Sequence, residues 1–147
     1  MSANQYDALL LDKQLCFPLY ACSREVIKRY RPYLEKLGLT YTQYIVLLVL
    51  WEADTISVRD LGKRLYLDSG TLTPVLKTME KCGYITRRRS MEDERLLMIS
   101  LTQAGMELRE KALSIPEALS GCLTLDASEA QTLYRLLYKV LASSGEE

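Results

Sequence analysis

The chain has no histidine. Without an imidazole there is no Ser-His or Cys-His nucleophile pair and no His-containing metal site. Nor is there a glycine-rich phosphate cradle: Gly62, Gly70 and Gly83 stand isolated, outside any GxGxxG or phosphate loop. The four cysteines, Cys16, Cys22, Cys82 and Cys122, form no CxxC pair. That spacing argues against a zinc site or a secreted disulfide framework, and for reduced thiols in a cytoplasm. The longest apolar run, residues 45–51, is far short of the roughly 20 residues a membrane span needs. Residues 1–12 lack the basic-then-apolar order of a signal peptide. Catalytic residues, metal ligands, cofactors and a membrane location are therefore not expected.

What remains is a chain of 147 residues, 48% apolar and 26% charged, which is the length and composition of one globular domain. Net charge is zero, with 19 basic and 19 acidic residues, but the charges are unevenly placed. Residues 57–95 hold nine Lys/Arg against six Asp/Glu, leaving ten against thirteen elsewhere. A basic patch balanced by acids elsewhere suits a polyanionic partner.

The patch coincides with a recognisable pattern over residues 57–101. Ser57-Val-Arg-Asp60 reads as a capping box opening a short helix. Asp68-Ser-Gly-Thr-Leu-Thr73 leads into a second helix with Leu72, Leu76 and Met79 at helical spacing, stopped by Gly83. Pro74 is compatible with this helix only in or near its first turn, which places the expected start at Gly70 or Thr71. Residues 84–89 and 96–101 read as paired strands around the charged loop 90–95. Helix, turn, helix and hairpin make a winged helix-turn-helix, a reader of double-stranded DNA. The expected fold is mainly α with a small β-hairpin wing, in one domain over residues 1–147.

Outside the reader, a helical pattern runs from Leu19, just past Pro18, to about Leu37, and Gly38 ends it. Thr40 caps a segment, residues 45–51, too apolar for a solvent face of any width, which should be the buried hub. Thr102 caps a helix from Gln103 to about Ile115. The last helix, residues 129–142, lines up Leu133, Leu136, Leu137, Val140 and Leu141. The stripes in residues 1–37 and 103–147 have little left to cover within the chain, so a homodimer interface built from N- and C-terminal helices is expected. Two readers on a dyad would meet half-sites of a pseudo-palindromic operator.

On the second reader helix, Ser69, Thr71, Thr73, Lys77 and Lys81 face away from the core side. The small residues suit close approach to bases and phosphates, the lysines suit phosphates. Among the hairpin arginines, Arg87 is expected at DNA. In Glu92-Asp-Glu-Arg95, Asp93 is placed to hold Arg95 in a fixed pose for a narrow A·T minor groove.

The blocks Asp68-Ser-Gly-Thr-Leu-Thr-Pro-Val-Leu-Lys-Thr-Met-Glu80, Asp93-Glu-Arg95 and Leu101-Thr-Gln-Ala-Gly105 resemble the MarR family of bacterial regulators. Gln14-Leu-Cys-Phe-Pro-Leu-Tyr-Ala-Cys-Ser-Arg-Glu25, with Tyr30 and Thr40-Tyr41, resembles its organic hydroperoxide-sensing branch, the OhrR repressors. The resemblance implies a dimeric repressor that leaves its operator when an N-terminal cysteine, here Cys16, is oxidised by an organic hydroperoxide. It also implies that Tyr30 and Tyr41 hydrogen-bond the reactive sulfur.

The residues give independent reasons. Cys16 sits at the beginning of a helix, where free amides favour a thiolate. Tyr20, four residues on, shares its face and is placed to donate to the sulfur. Leu15, Phe17 and Leu19 would make an apolar pocket suited to an organic peroxide. Against this, an isolated cysteine in an apolar run is ordinarily a small core residue. Cys22, about 9 Å from Cys16 along a helix, is too far for a bridge. The resemblance also makes Cys122, in a loop-like stretch after Pro116, a candidate resolving cysteine. The competing expectation is a low-molecular-weight thiol that caps oxidised Cys16. Two other readings stand beside the sensor: a repressor gated by a phenolic ligand with Cys16 structural, and a thiol peroxidase.

Overall fold

Thr40 begins the element on which much of the fold packs. Its hydroxyl accepts from the Gln43 amide at 3.2 Å, and Gln43 returns the bond to the Thr40 amide at 3.0 Å. This reciprocal box starts helix α2, Tyr41–Ala53, four residues ahead of its apolar run. Tyr44, Val46, Leu47, Val49 and Leu50 of α2 are all buried, as its composition requires. The structure, a computed structural model, describes residues 4–144. The outermost residues of the terminal regions assigned to dimerisation, 1–3 and 145–147, lie outside the described residues.

Before α2, two short 3-10 turns lead into α1, Cys16–Glu35. Pro18 is the third residue of α1, where its missing amide would have had no helical partner. The helix thus starts three residues ahead of the Leu19 expected from the pattern. Gly38, at φ +68°, closes it.

The reader follows. Strand β1, Thr55–Ser57, precedes α3, Val58–Leu65, and α4, Ser69–Lys81. Strands β2, Ile85–Arg89, and β3, Leu97–Leu101, complete an antiparallel sheet in the order β1-β3-β2. The hairpin pairs Ile85 with Leu101 and Arg89 with Leu97. The reader therefore has three strands rather than two, and begins at Thr55. Three residues are too few to show a period, and Thr55–Ser57 is a strand because β3 offers it a free edge.

Two local expectations are corrected. Ser57 accepts from the Asp60 amide at 3.0 Å, but the reciprocal half of the box is absent, since Ser57 also belongs to β1. Helix α4 starts at Ser69 with Asp68 as its cap, ahead of the expected Gly70 or Thr71, so Pro74 lies in its second turn. A glycine, Gly70, stands four residues before it, where the proline ring crowds the helix backbone.

After the reader, α5 is Gln103–Ala112, capped by Thr102. A further helix, α6, Ser114–Ser120, precedes the loop-like stretch that carries Cys122, with Pro116 acceptably in its first turn. The last helix, α7, Ala127–Ser143, opens on a reciprocal box between Asp126 and Glu129. The chain divides into two compact units, residues 1–115 and 116–147. In the second, α7 buries none of its residues, and Leu133, Leu136 and Val140 of its stripe are exposed. In the first, α1 buries Leu34 alone.

Candidate DNA interface and redox centre

The second reader helix divides cleanly by face. Leu72, Leu76 and Met79 are fully buried, while Ser69, Thr71, Thr73, Lys77 and Lys81 are exposed. Asp68 accepts the Thr71 amide at 2.7 Å, which holds its carboxyl below the usual carboxylate range. Thr73 donates to the Ser69 carbonyl at 2.7 Å, fixing its rotamer at the start of the helix. An open groove of about 580 Å³ runs alongside this start, lined by Arg59, Lys63, Tyr66 and Ser69 among others. The exposed Arg59 and Lys63 stand one turn apart on α3 and extend the basic rim. Sequence reasoning passed over them, although their i,i+4 spacing within the basic stretch was visible.

At the wing, one Asp93 oxygen accepts the Arg95 amide at 3.1 Å and Nε at 3.0 Å, and the other accepts Nη2 at 3.2 Å. The Arg95 side chain is 90% exposed, so its carboxylate partner aims it without covering it. Arg95 in turn holds the Asp93 carboxyl below the usual range. Arg87 behaves differently from the expectation of a DNA contact. It lies on the face of β2 that carries buried Ile85, and its guanidinium is turned inward onto Glu80 of α4. The strand's alternation presents Arg88, and not Arg87, to solvent.

Cys16 is the first residue of α1 and is exposed. A core role within its own chain is thereby ruled out. The surroundings expected from sequence are not those found. The Tyr20 hydroxyl accepts from Arg24 Nη1 at 3.3 Å, with the guanidinium 5.6 Å from the ring centre, so Tyr20 serves Arg24 and not the sulfur. Leu15 is 85% exposed, and Phe17 and Leu19 are also open, so no apolar pocket closes around Cys16. The cause is the same in each case: the first turns of α1 stand clear of the chain's own core.

Tyr30 and Tyr41 do come together. Capping by Thr40 puts Tyr41 at the first position of α2, where its ring lies 5.0 Å from that of Tyr30. Buried Tyr44 joins them at 5.8 and 6.3 Å, and Trp51 follows at 6.4 Å from Tyr44. Burial raises the hydroxyl pKa of Tyr30, and burial together with Tyr30 raises that of Tyr41. Both therefore remain protonated hydrogen-bond donors at neutral pH. Neither reaches Cys16 of its own chain. Fourteen residues of continuous helix separate Cys16 from Tyr30, about 21 Å at the usual rise.

Cys122 lies exposed in the turn after α6, its thiol 3.4 Å from the Ala118 carbonyl. Cys22 and Cys82 are exposed as well.

Comparison with known proteins bears on both centres. Residues 28–112 match the family described as transcriptional regulator SarA/Rot. The chain is 51% identical over 138 residues to the organic hydroperoxide resistance transcriptional regulator of Bacillus subtilis strain 168, covering 94% of each. It is similar to AbfR of Staphylococcus epidermidis in two DNA-bound structures. For the overoxidized protein the TM-score is 0.76 at 36% identity, covering 95% of this chain and 98% of the other. For the reduced protein it is 0.75 at 38% identity, covering 93% and 96%.

Proposed function

The chain belongs to the MarR and SarA/Rot type of winged-helix transcriptional regulators, in their organic hydroperoxide branch, and we propose that the redox state of Cys16 switches its hold on DNA. It is a redox-sensing, DNA-binding repressor rather than an enzyme, as its relatives are regulators. It acts in the cytoplasm as a homodimer on a pseudo-palindromic operator.

The observation that carries this reading is the separation of Cys16 from its expected donors. Tyr30 and Tyr41 form a protonated pair with hydroxyls to offer, yet α1 holds Cys16 about 21 Å away. A second copy of the chain supplies what one copy lacks. Each sensor is then composite, Cys16 from one protomer and the two tyrosines from its partner. The open stripes of α1 and α7 provide the apolar surface for that pairing.

The chemistry is a two-electron oxidation. The Cys16 thiolate attacks the terminal oxygen of an organic hydroperoxide, an S–O bond forms and the O–O bond breaks. The sulfur becomes sulfenic acid, and the departing alkoxide takes a proton to leave as the alcohol. A second thiol then displaces water to give a disulfide, either Cys122 or a low-molecular-weight thiol. Lost hydrogen bonds and a bulkier adduct favour a dimer whose readers miss the half-site spacing. A hundredfold loss of operator affinity requires only about 2.7 kcal/mol of difference between the two states.

At the output, the start of α4 approaches the major groove with Ser69, Thr71 and Thr73, while Lys77 and Lys81 meet phosphates. Arg95, aimed by Asp93, enters the adjacent minor groove.

The test is Cys16→Ser. It should bind operator DNA as the reduced wild type does and stay bound after cumene hydroperoxide. Release on the wild-type schedule would sink the assignment. Release of the fully reduced wild type by salicylate would instead favour a phenolic effector.

A further inference from the structure

Glu80 is in an awkward place by two elementary criteria. It lies in the last turn of α4, where the helix carbonyls disfavour an anion, and it belongs to the helix offered to a polyanion. Its surroundings explain it. One carboxylate oxygen accepts the Arg87 backbone amide at 2.9 Å. The other accepts Arg87 Nε at 3.2 Å and Nη2 at 3.1 Å. The Arg87 side chain is only 22% exposed and lies on the inward face of β2. The pair therefore fastens the end of the reading helix to the base of the wing. From that base the hairpin runs to the loop where Asp93 grips Arg95.

We propose that Glu80 and Arg87 form a clasp that sets where Arg95 stands relative to α4, with Arg87 a positioning residue and not a phosphate contact. A helix in a major groove and an arginine in the neighbouring minor groove must arrive in register. The hairpin is a lever: a small rotation at β2 becomes a larger displacement at its tip. Three bonds from one carboxylate to the backbone and the fork of one arginine resist that rotation in more than one direction. This rests on the reading that α4 and Arg95 touch DNA, so its test must separate the two.

A duplex selected from a random pool by the wild-type protein serves as operator, made in two forms, with A·T or G·C pairs under the wing. Affinities of the full-length reduced protein and its variants are measured by fluorescence anisotropy, alongside thermal melts. Removing a negative charge from a DNA-binding surface should by itself tighten binding. The clasp predicts the opposite sign: Glu80→Gln binds the A·T form about tenfold more weakly. Its preference for A·T over G·C flanks also collapses, and on an Arg95→Ala background it changes that preference no further. Arg87→Lys, which keeps the charge but loses the fork, should show the same losses in milder form. General destabilisation lowers both affinities together and leaves their ratio, so the flank preference remains diagnostic if the melts shift. Should Arg95→Ala abolish the preference while Glu80→Gln keeps it, or binds more tightly, the clasp is wrong and the wing reading stands. Should Arg95→Ala keep the preference, the wing reading itself fails and takes the clasp with it.

Discussion

Gly105 marks a place where one methyl group decides the packing. A Cβ there would collide with the Tyr84 carbonyl oxygen and come within 2.7 Å of Leu101 Cδ1. The backbone of α5 thus presses directly on the segment that joins α4 to β2. The Gly105 amide donates to the Thr102 hydroxyl, and that hydroxyl donates to the Gly83 carbonyl at 2.6 Å. Gly105→Ala must push α5 away from a backbone that cannot yield. The expected cost is about 2–3 kcal/mol, seen as a fall of roughly 5–10 °C in the melting midpoint of the reduced protein. An unchanged midpoint would mean that the close approach carries no stability. At the same scale, Arg87 and Arg95 hold the Glu80 and Asp93 carboxyls below their ordinary range. Both tethers stay charged at neutral pH and weaken only as pH falls through those lowered values.

Among the elements, α2 has the widest reach. Its first residue, Tyr41, belongs to the aromatic group with Tyr30 and Tyr44, and two turns past Tyr44 it carries Trp51. The Trp51 indole donates to the Gly105 carbonyl at 3.0 Å, next to the bonds that reach the end of α4. One helix therefore touches the Tyr30–Tyr41 pair near its start and the support of the reading helix near its end. Trp51→Phe retains the ring and deletes the donor. The reduced variant should bind the operator nearly as the wild type does and lose about 1 kcal/mol of stability. Its ratio of reduced to oxidised affinity should shrink. A full ratio in a merely destabilised variant would leave the bond structural.

For the whole molecule, the decisive feature is what a single chain leaves undone. Cys16 is exposed, the tyrosines are at the far end of α1, and α7 buries nothing. A composite sensor makes a prediction that a self-contained one cannot. In mixed dimers of Cys16→Ser with Tyr41→Phe, one of the two composite sites is intact, because the defects fall together in the other. Such dimers should recover peroxide-dependent release that the Tyr41→Phe homodimer lacks, measured on differently tagged chains purified as the mixed species. If each chain supplied its own tyrosine, neither site would be intact and no recovery would occur.

Much of the fold was legible in the sequence because its signals are local. Thr40, Asp68 and Thr102 cap helices through bonds that close within three residues, and the buried faces of α2 and α4 follow from spacing alone. The Asp93–Arg95 pair spans two residues and could be foreseen for the same reason. Tertiary structure decided whatever depended on a distant partner. Thr55–Ser57 is a strand because β3 runs beside it, and Arg87 turns inward because the fold brings Glu80 to the base of the wing. The four-residue spacing that fits Tyr20 to Cys16 fits it equally to Arg24, and the fold bonds Tyr20 to Arg24. Only resemblance to a family links Tyr30 and Tyr41 to Cys16 in the sequence. The unbroken length of α1 puts them out of reach within one chain, because an α-helix cannot fold back on itself.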